Sequence, residues 1–190
     1  MPLMSTLQQA NDQSQVQAKG HAASLYWLAF LLTGRREASV NMAVEALDSA
    51  DGNPFFSAWM LAWSRKVVIA KALAAVRQEL AASALQMASK RGRDCPPPPR
   101  NWALGPAATK VQLERALLAI DVFPRCALLL TVFEGLSIDD ATVLLDAGRE
   151  LVRKAQRFAV QELTRNLAGM QTGASTMATP FGALWNASGA

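Results

Sequence analysis

Between Ala127 and Arg165 the chain reads ALLLTVFEGLSIDDATVLLDAGRELVRKAQRFAVQELTR, a helix-forming stretch interrupted at Gly135-Leu136-Ser137 and again at Asp146-Ala147-Gly148. Gly135 suits a helix stop, because a residue without Cβ enters the left-handed cap without steric cost. Ser137 offers its hydroxyl to the free N–H groups of a following helix, and Asp140 stands where a capping box places its acid. Gly148 permits the second sharp turn. A short helix is expected between the two stops, with Leu144 on its buried side, and a longer helix after them. On the longer one, Leu151, Ala155, Phe158, Ala159, Leu163 and Leu167 share a face. Arg149, Arg153, Arg157, Gln161 and Arg165 line the opposite face. Two helices at an angle, the second basic on its open side, is the plan of a helix-turn-helix. An ordinary solvated helix face also carries such a row, with Glu150 and Glu162 placed to pair with it. Spacing alone leaves both open.

The rest of the chain is rich in Ala and Leu at helical spacing and poor in β-branched runs, so the expected class is all-α. We read two small helical domains joined by a Pro-rich basic linker, the second domain being the helix-turn-helix. The boundaries are a flexible lead-in over 1–20, a first helical domain over 21–82, the linker over 83–110, the helix-turn-helix domain over 111–168 and a disordered tail over 169–190. In the first domain, helices are expected from Ala22 to Thr33, stopping at Gly34, and from Arg36 to Asp48, with Ala38, Met42 and Leu47 inward. After the turn Asp51-Gly52-Asn53-Pro54, a longer helix should run from Phe55 to Ala82 and bury Trp59, Trp63, Ile69, Leu73 and Val76. In the second, Leu113, Leu117 and Ile120 are core candidates, and Pro124 opens a helix where no N–H is needed.

The net charge is +4, and the stretch from Ala82 to Lys110 accounts for it, with Lys90, Arg91, Arg93, Arg100 and Lys110 against Asp94 (five minus one). The flanking segments are therefore near neutral, so any grip on nucleic acid must come from local rows. Cys95, Cys126 and the single histidine, His21, cannot build a zinc site, and reduced thiols in a cytoplasm are the simple expectation. The apolar run Leu25–Leu32 is too short to span a bilayer and follows no basic cluster, so neither membrane insertion nor export is expected. No Ser-His-acid set or phosphate-cradling Gly loop is present, so we expect no catalytic residue, no cofactor and no metal.

The order of these parts resembles the bacterial RNA polymerase sigma factors, specifically the small two-domain extracytoplasmic-function group. Leu32-Thr33-Gly34-Arg35-Arg36-Glu37 is similar to that family's LTGDRE step. Phe56-Ser57-Ala58-Trp59, with Arg65 and Ile69, is similar to its FRAWLYRIARNLAID stretch. Pro124-Arg125, Leu128-Leu129-Leu130 and Glu134-Gly135-Leu136-Ser137 follow its PRQREALLLRYVEGLS run, and Val152-Arg153 falls on the VK of its recognition helix. The likeness spans about Ala22 to Leu167.

The resemblance implies a protein that binds core RNA polymerase and directs it to promoter DNA, with an anti-sigma protein as a further partner. By position, Arg149, Arg153, Lys154 and Arg157 would contact the upstream promoter element. Phe55, Phe56, Arg65, Lys66 and Lys71 would meet the melted strand, with rings for stacking and cations for phosphate. Asn41 and Glu45 would lie on the polymerase-binding helix. That helix keeps Glu45 and Ala46 of the family's DAEDLVQEAF pattern but carries Asn41 in place of an acid. The loss favours a different expectation, a degenerate sigma-like interaction module that binds a regulatory protein partner in place of promoter DNA.

Overall fold

The apolar run noted above becomes the axis of the molecule. A computed structural model describes residues 19–48, 57–89 and 109–176. Among them the fold is all-helical. The elements are α1 (19–33), α2 (Arg36–Asp48), α3 (Ser57–Ala75), α4 (Arg77–Ser89), α5 (Lys110–Leu118), α6 (Val122–Leu128), a π-helical turn (Leu129–Phe133), α7 (Ile138–Leu145) and α8 (Arg149–Thr176). In α1 every side chain from Leu28 to Thr33 is buried, so the helix is covered all round. The run Phe123–Leu130 is buried in the same way. α6 meets the end of α1, where the Cys126 thiol lies 3.8 Å from the Leu32 carbonyl. Burial pushes that thiol's pKa up to about 12, so it stays protonated and unreactive.

A single apolar cluster runs through the described residues, drawing Leu25, Leu32, Val68 and Met87 from before the Pro-rich stretch and Leu117, Phe123, Leu145 and Val152 from after it. Lys110 of α5 sits over the Trp27 ring of α1, 5.4 Å from its centroid. Arg125 is buried on α6, and its guanidinium donates to the Leu118 carbonyl at 3.3 Å and the Ile120 carbonyl at 3.0 Å. Desolvation pulls its pKa down, while Cys126, Glu79 and Asp121 act the other way.

Several expectations need correction. The helix expected over Phe55–Ala82 divides at Val76 and continues as α4 to Ser89, so residues 83–89 of the expected linker are helical. Val76 still donates to Ala72 O and its carbonyl still accepts from Leu80, so the division is a bend and not a loop. α8 runs on to Thr176, so the first residues of the expected tail are helical too. Trp63 is 36 % exposed and not core. The side chain of Trp59, and residues 1–18, 49–56, 90–108 and 177–190, lie outside what is described.

α2 is turned by one residue from the expected phase. It buries Ser39, Ala43 and Ala46, leaving Ala38, Met42 and Leu47 half-buried. Small residues win these positions because α2 and α3 approach closely enough for Ser64 to donate to Ala46 O, at 3.2 Å. Thr33 and Ser39 hydroxyls also meet, at 3.2 Å.

Candidate nucleic-acid interface

The corner before α7 is built by local chemistry. The π-helical turn ends with Glu134 N–H donating to Leu129 O at 2.9 Å. Gly135 then takes φ +67, and Leu136 N–H reaches back to Leu130 O at 3.0 Å, closing a left-handed cap. Ser137 starts α7 by accepting from Asp140 N–H at 3.0 Å. The Asp140 carboxylate accepts from the Ser137 hydroxyl, at 2.7 Å, and so departs from the full capping box.

The second turn differs from expectation. Asp146, not Gly148, takes the left-handed conformation, at φ 49 and ψ 50. Aspartate tolerates this region better than most residues. Gly148 instead accepts the first α8 bond from Val152 N–H, at 3.0 Å. α7 buries Ala141 and Leu145, one helical turn apart, and leaves Leu144 39 % exposed, so the inward leucine is the one after that expected.

α8 packs Val152, Ala155, Ala159 and Leu167 inward, with Leu151, Phe158 and Leu163 half-buried. Gln156 donates to the Thr131 hydroxyl at 3.0 Å, tying α8 to the π-helical turn. The row on its other face points outward. Arg149 pairs with Asp139 of α7 at 3.2 Å and Arg153 with Glu150 at 3.1 Å, their side chains 54 % and 42 % exposed. Arg157 is exposed, and Arg165 pairs with Glu162. Exposed pairs of this kind are worth about 0–1 kcal/mol, so exchanging a carboxylate for a phosphate costs the fold little. Lys154 has a different setting: its ammonium donates to the Met87 carbonyl of α4 at 2.9 Å.

The residues expected to meet a melted strand are not gathered into one row. Phe55 and Phe56 lie outside the described residues. Arg65 grips the Glu134 carboxylate with Nε, at 2.9 Å, and with Nη2, while Nη1 donates to Ser24 Oγ at 3.0 Å. Lys66 is exposed, and Lys71 pairs with Glu45 across α2 and α3. Asn41 and Glu45 are both exposed on α2, beside Val40 and Val44, each about half exposed. Sequence reasoning missed Glu134 and Met87 as partners. It also missed the two outward valines, which alternate with polar residues and so carry no strong signal. No group of His, Cys, Asp or Glu able to hold a metal occurs among the described residues, and no helix there is long and apolar enough to cross a membrane. Comparison with known protein families, curated proteins and solved structures gives no match to the chain.

Proposed function

We propose that this chain is a divergent sigma factor that binds core RNA polymerase and directs promoter-specific initiation. In this reading α7 and α8 form a helix-turn-helix of a two-part protein, and α8 enters the major groove at the upstream promoter element. The observation that carries it is the set Arg149, Arg153 and Arg157, outward on α8 and restrained only by exposed ion pairs, behind a corner capped at Gly135 and Ser137. An arginine near the entering end of such a helix donates in bidentate fashion to guanine O6 and N7, and its neighbours position the helix through phosphate. α1 to α4 supply the polymerase-binding and strand-separating half, with Asn41 and Glu45 on the polymerase side. The protein acts through binding energy and not covalent chemistry. Reconstituted transcription with bacterial core polymerase and a genomic promoter library tests this. Initiation at a defined subset of promoters is the expected result; no initiation, together with no capture of core polymerase, overturns it.

One observation favours the second reading, a sigma-like module that binds a regulatory protein. The outer face of α2 presents Val40 and Val44, 48 % and 49 % exposed, where the family resemblance calls for acids. Capture of core polymerase under conditions where an ordinary sigma factor binds decides between the two.

A further inference from the structure

Two cations assigned above to DNA, one from each side of the Pro-rich stretch, are each held by the opposite side. Arg65 of α3 is bound in bidentate fashion by Glu134, whose side chain is only 8 % exposed, and is braced by Ser24 of α1. Lys154 of α8 is bound by the main-chain carbonyl of Met87, itself 3 % exposed, near the end of α4. A charge-assisted bond to a partly buried carboxylate is stronger than a surface pair. These contacts therefore compete with phosphate in a way that the Arg149 and Arg153 pairs do not.

We propose that the described arrangement is a self-clasped form, in which the two halves occupy each other's DNA-binding cations and must part before both can engage a promoter. The inference rests on the sigma-factor reading and adds its regulation. The seam between the halves is apolar as well as ionic, since α1 and α6 meet at Leu32 and Cys126 inside the shared core. Parting them is therefore costly, and the free chain stays closed. Core polymerase, by engaging both halves, supplies the energy to open it. When only a small fraction of a protein is competent to bind, its apparent dissociation constant is the intrinsic one divided by that fraction. A change that weakens the clasp thus tightens apparent DNA binding in proportion, even while the closed form still dominates.

The test uses the full chain and two readouts. Affinity is measured for a pool of random-sequence duplexes, alone and with bacterial core polymerase, comparing the wild type with Glu134→Gln. Removing the carboxylate charge is expected to tighten apparent binding by about tenfold, equivalent to about 1.4 kcal/mol. Ser24→Ala, which takes one bond from Arg65 and leaves the acid in place, is expected to move binding the same way by a smaller factor. It serves as the second variant should Glu134→Gln lose helicity. Distance is read between spin labels at Leu85→Cys on α4 and Val160→Cys on α8, both exposed sites, with Cys95 replaced by serine. A short distance is expected in the free chain and a longer one in the complex with polymerase and DNA. Unchanged affinity in both variants, or an unchanged distance in a DNA-bound complex, overturns the clasp while leaving the sigma-factor reading standing. If no form binds DNA with or without polymerase, the underlying reading falls, and the clasp with it.

Discussion

The phase of α7 can be tested by truncating two adjacent leucines. Leu145 is 6 % exposed and packs in the shared cluster with Ala141 and Val152, whereas Leu144 is 39 % exposed. Leucine to alanine removes about three methylene equivalents, at about 0.8 kcal/mol each when fully buried. For Leu145→Ala the transfer loss is thus about 2.4 kcal/mol, and the cavity left between α7 and α8 raises it to about 3 kcal/mol. For Leu144→Ala the partly exposed side chain gives up about 1 kcal/mol and leaves no closed void. In a chain of this size each kcal/mol lowers Tm by about 2–4 °C, so the expected drops are about 6–12 °C and about 2–4 °C. Thermal unfolding followed by far-ultraviolet circular dichroism separates them. Equal drops, or the larger one at Leu144, would refute the inward placement of Leu145 and with it the orientation of the corner that presents α8. Promoter binding by Leu145→Ala, measured well below its own Tm, is expected to weaken as well, because Leu145 sets the angle at which α7 supports α8.

Three further outcomes are expected. Arg153→Ala should weaken binding to the selected promoter by ~1–3 kcal/mol and relax preference at one base position; an equal small loss on every duplex would reassign Arg153 to phosphate. Ser137→Ala removes the only side-chain cap seen on α7 and should cost about 1 kcal/mol, read as a Tm shift of about 2–4 °C; an unchanged Tm would mean that water replaces the hydroxyl. The Cys126 thiol is protonated in both folded and unfolded chains below pH 9.0, its ordinary value, but above it only the unfolded chain loses the proton, until the folded thiol follows at about 12. Stability should therefore fall across that window more steeply in the wild type than in Cys126→Ala, measured by urea denaturation at each pH, and parallel slopes would contradict the burial of the thiol.

What the sequence disclosed was mostly local chemistry. Gly34 and Gly135 both take positive φ, Ser137 caps α7, and Pro124 sits in the first turn of α6, where its missing N–H is harmless. Each of these is decided within a few residues, and so is legible in one dimension. The bend at Val76 carries no glycine or proline to announce it. The inward face of α2 is set by how close α3 comes, which favours Ser39, Ala43 and Ala46 over the larger neighbours that hydropathy would select. For the second turn, glycine at 148 is the obvious candidate for left-handed backbone, but the last α7 carbonyls accept from the N–H groups of Asp146 and Ala147, which places the turn earlier. The outward direction of Arg149, Arg153 and Arg157 followed from helical periodicity. That Arg65 belongs to Glu134, and Lys154 to Met87, did not, since both pairs join segments far apart in the chain.

The π-helical turn from Leu129 to Phe133 carries one peptide more than an α-helical count would, as the Glu134 bond to Leu129 records. Each residue of a helix accounts for about 100° of rotation. Loss of a single codon near Val132 would therefore spare every downstream cap and apolar stripe, yet swivel the whole carboxyl-terminal lever by roughly a quarter turn about the α6 axis. Insertions and deletions in this short span are thus a route by which evolution could re-aim the arginines without touching one of them.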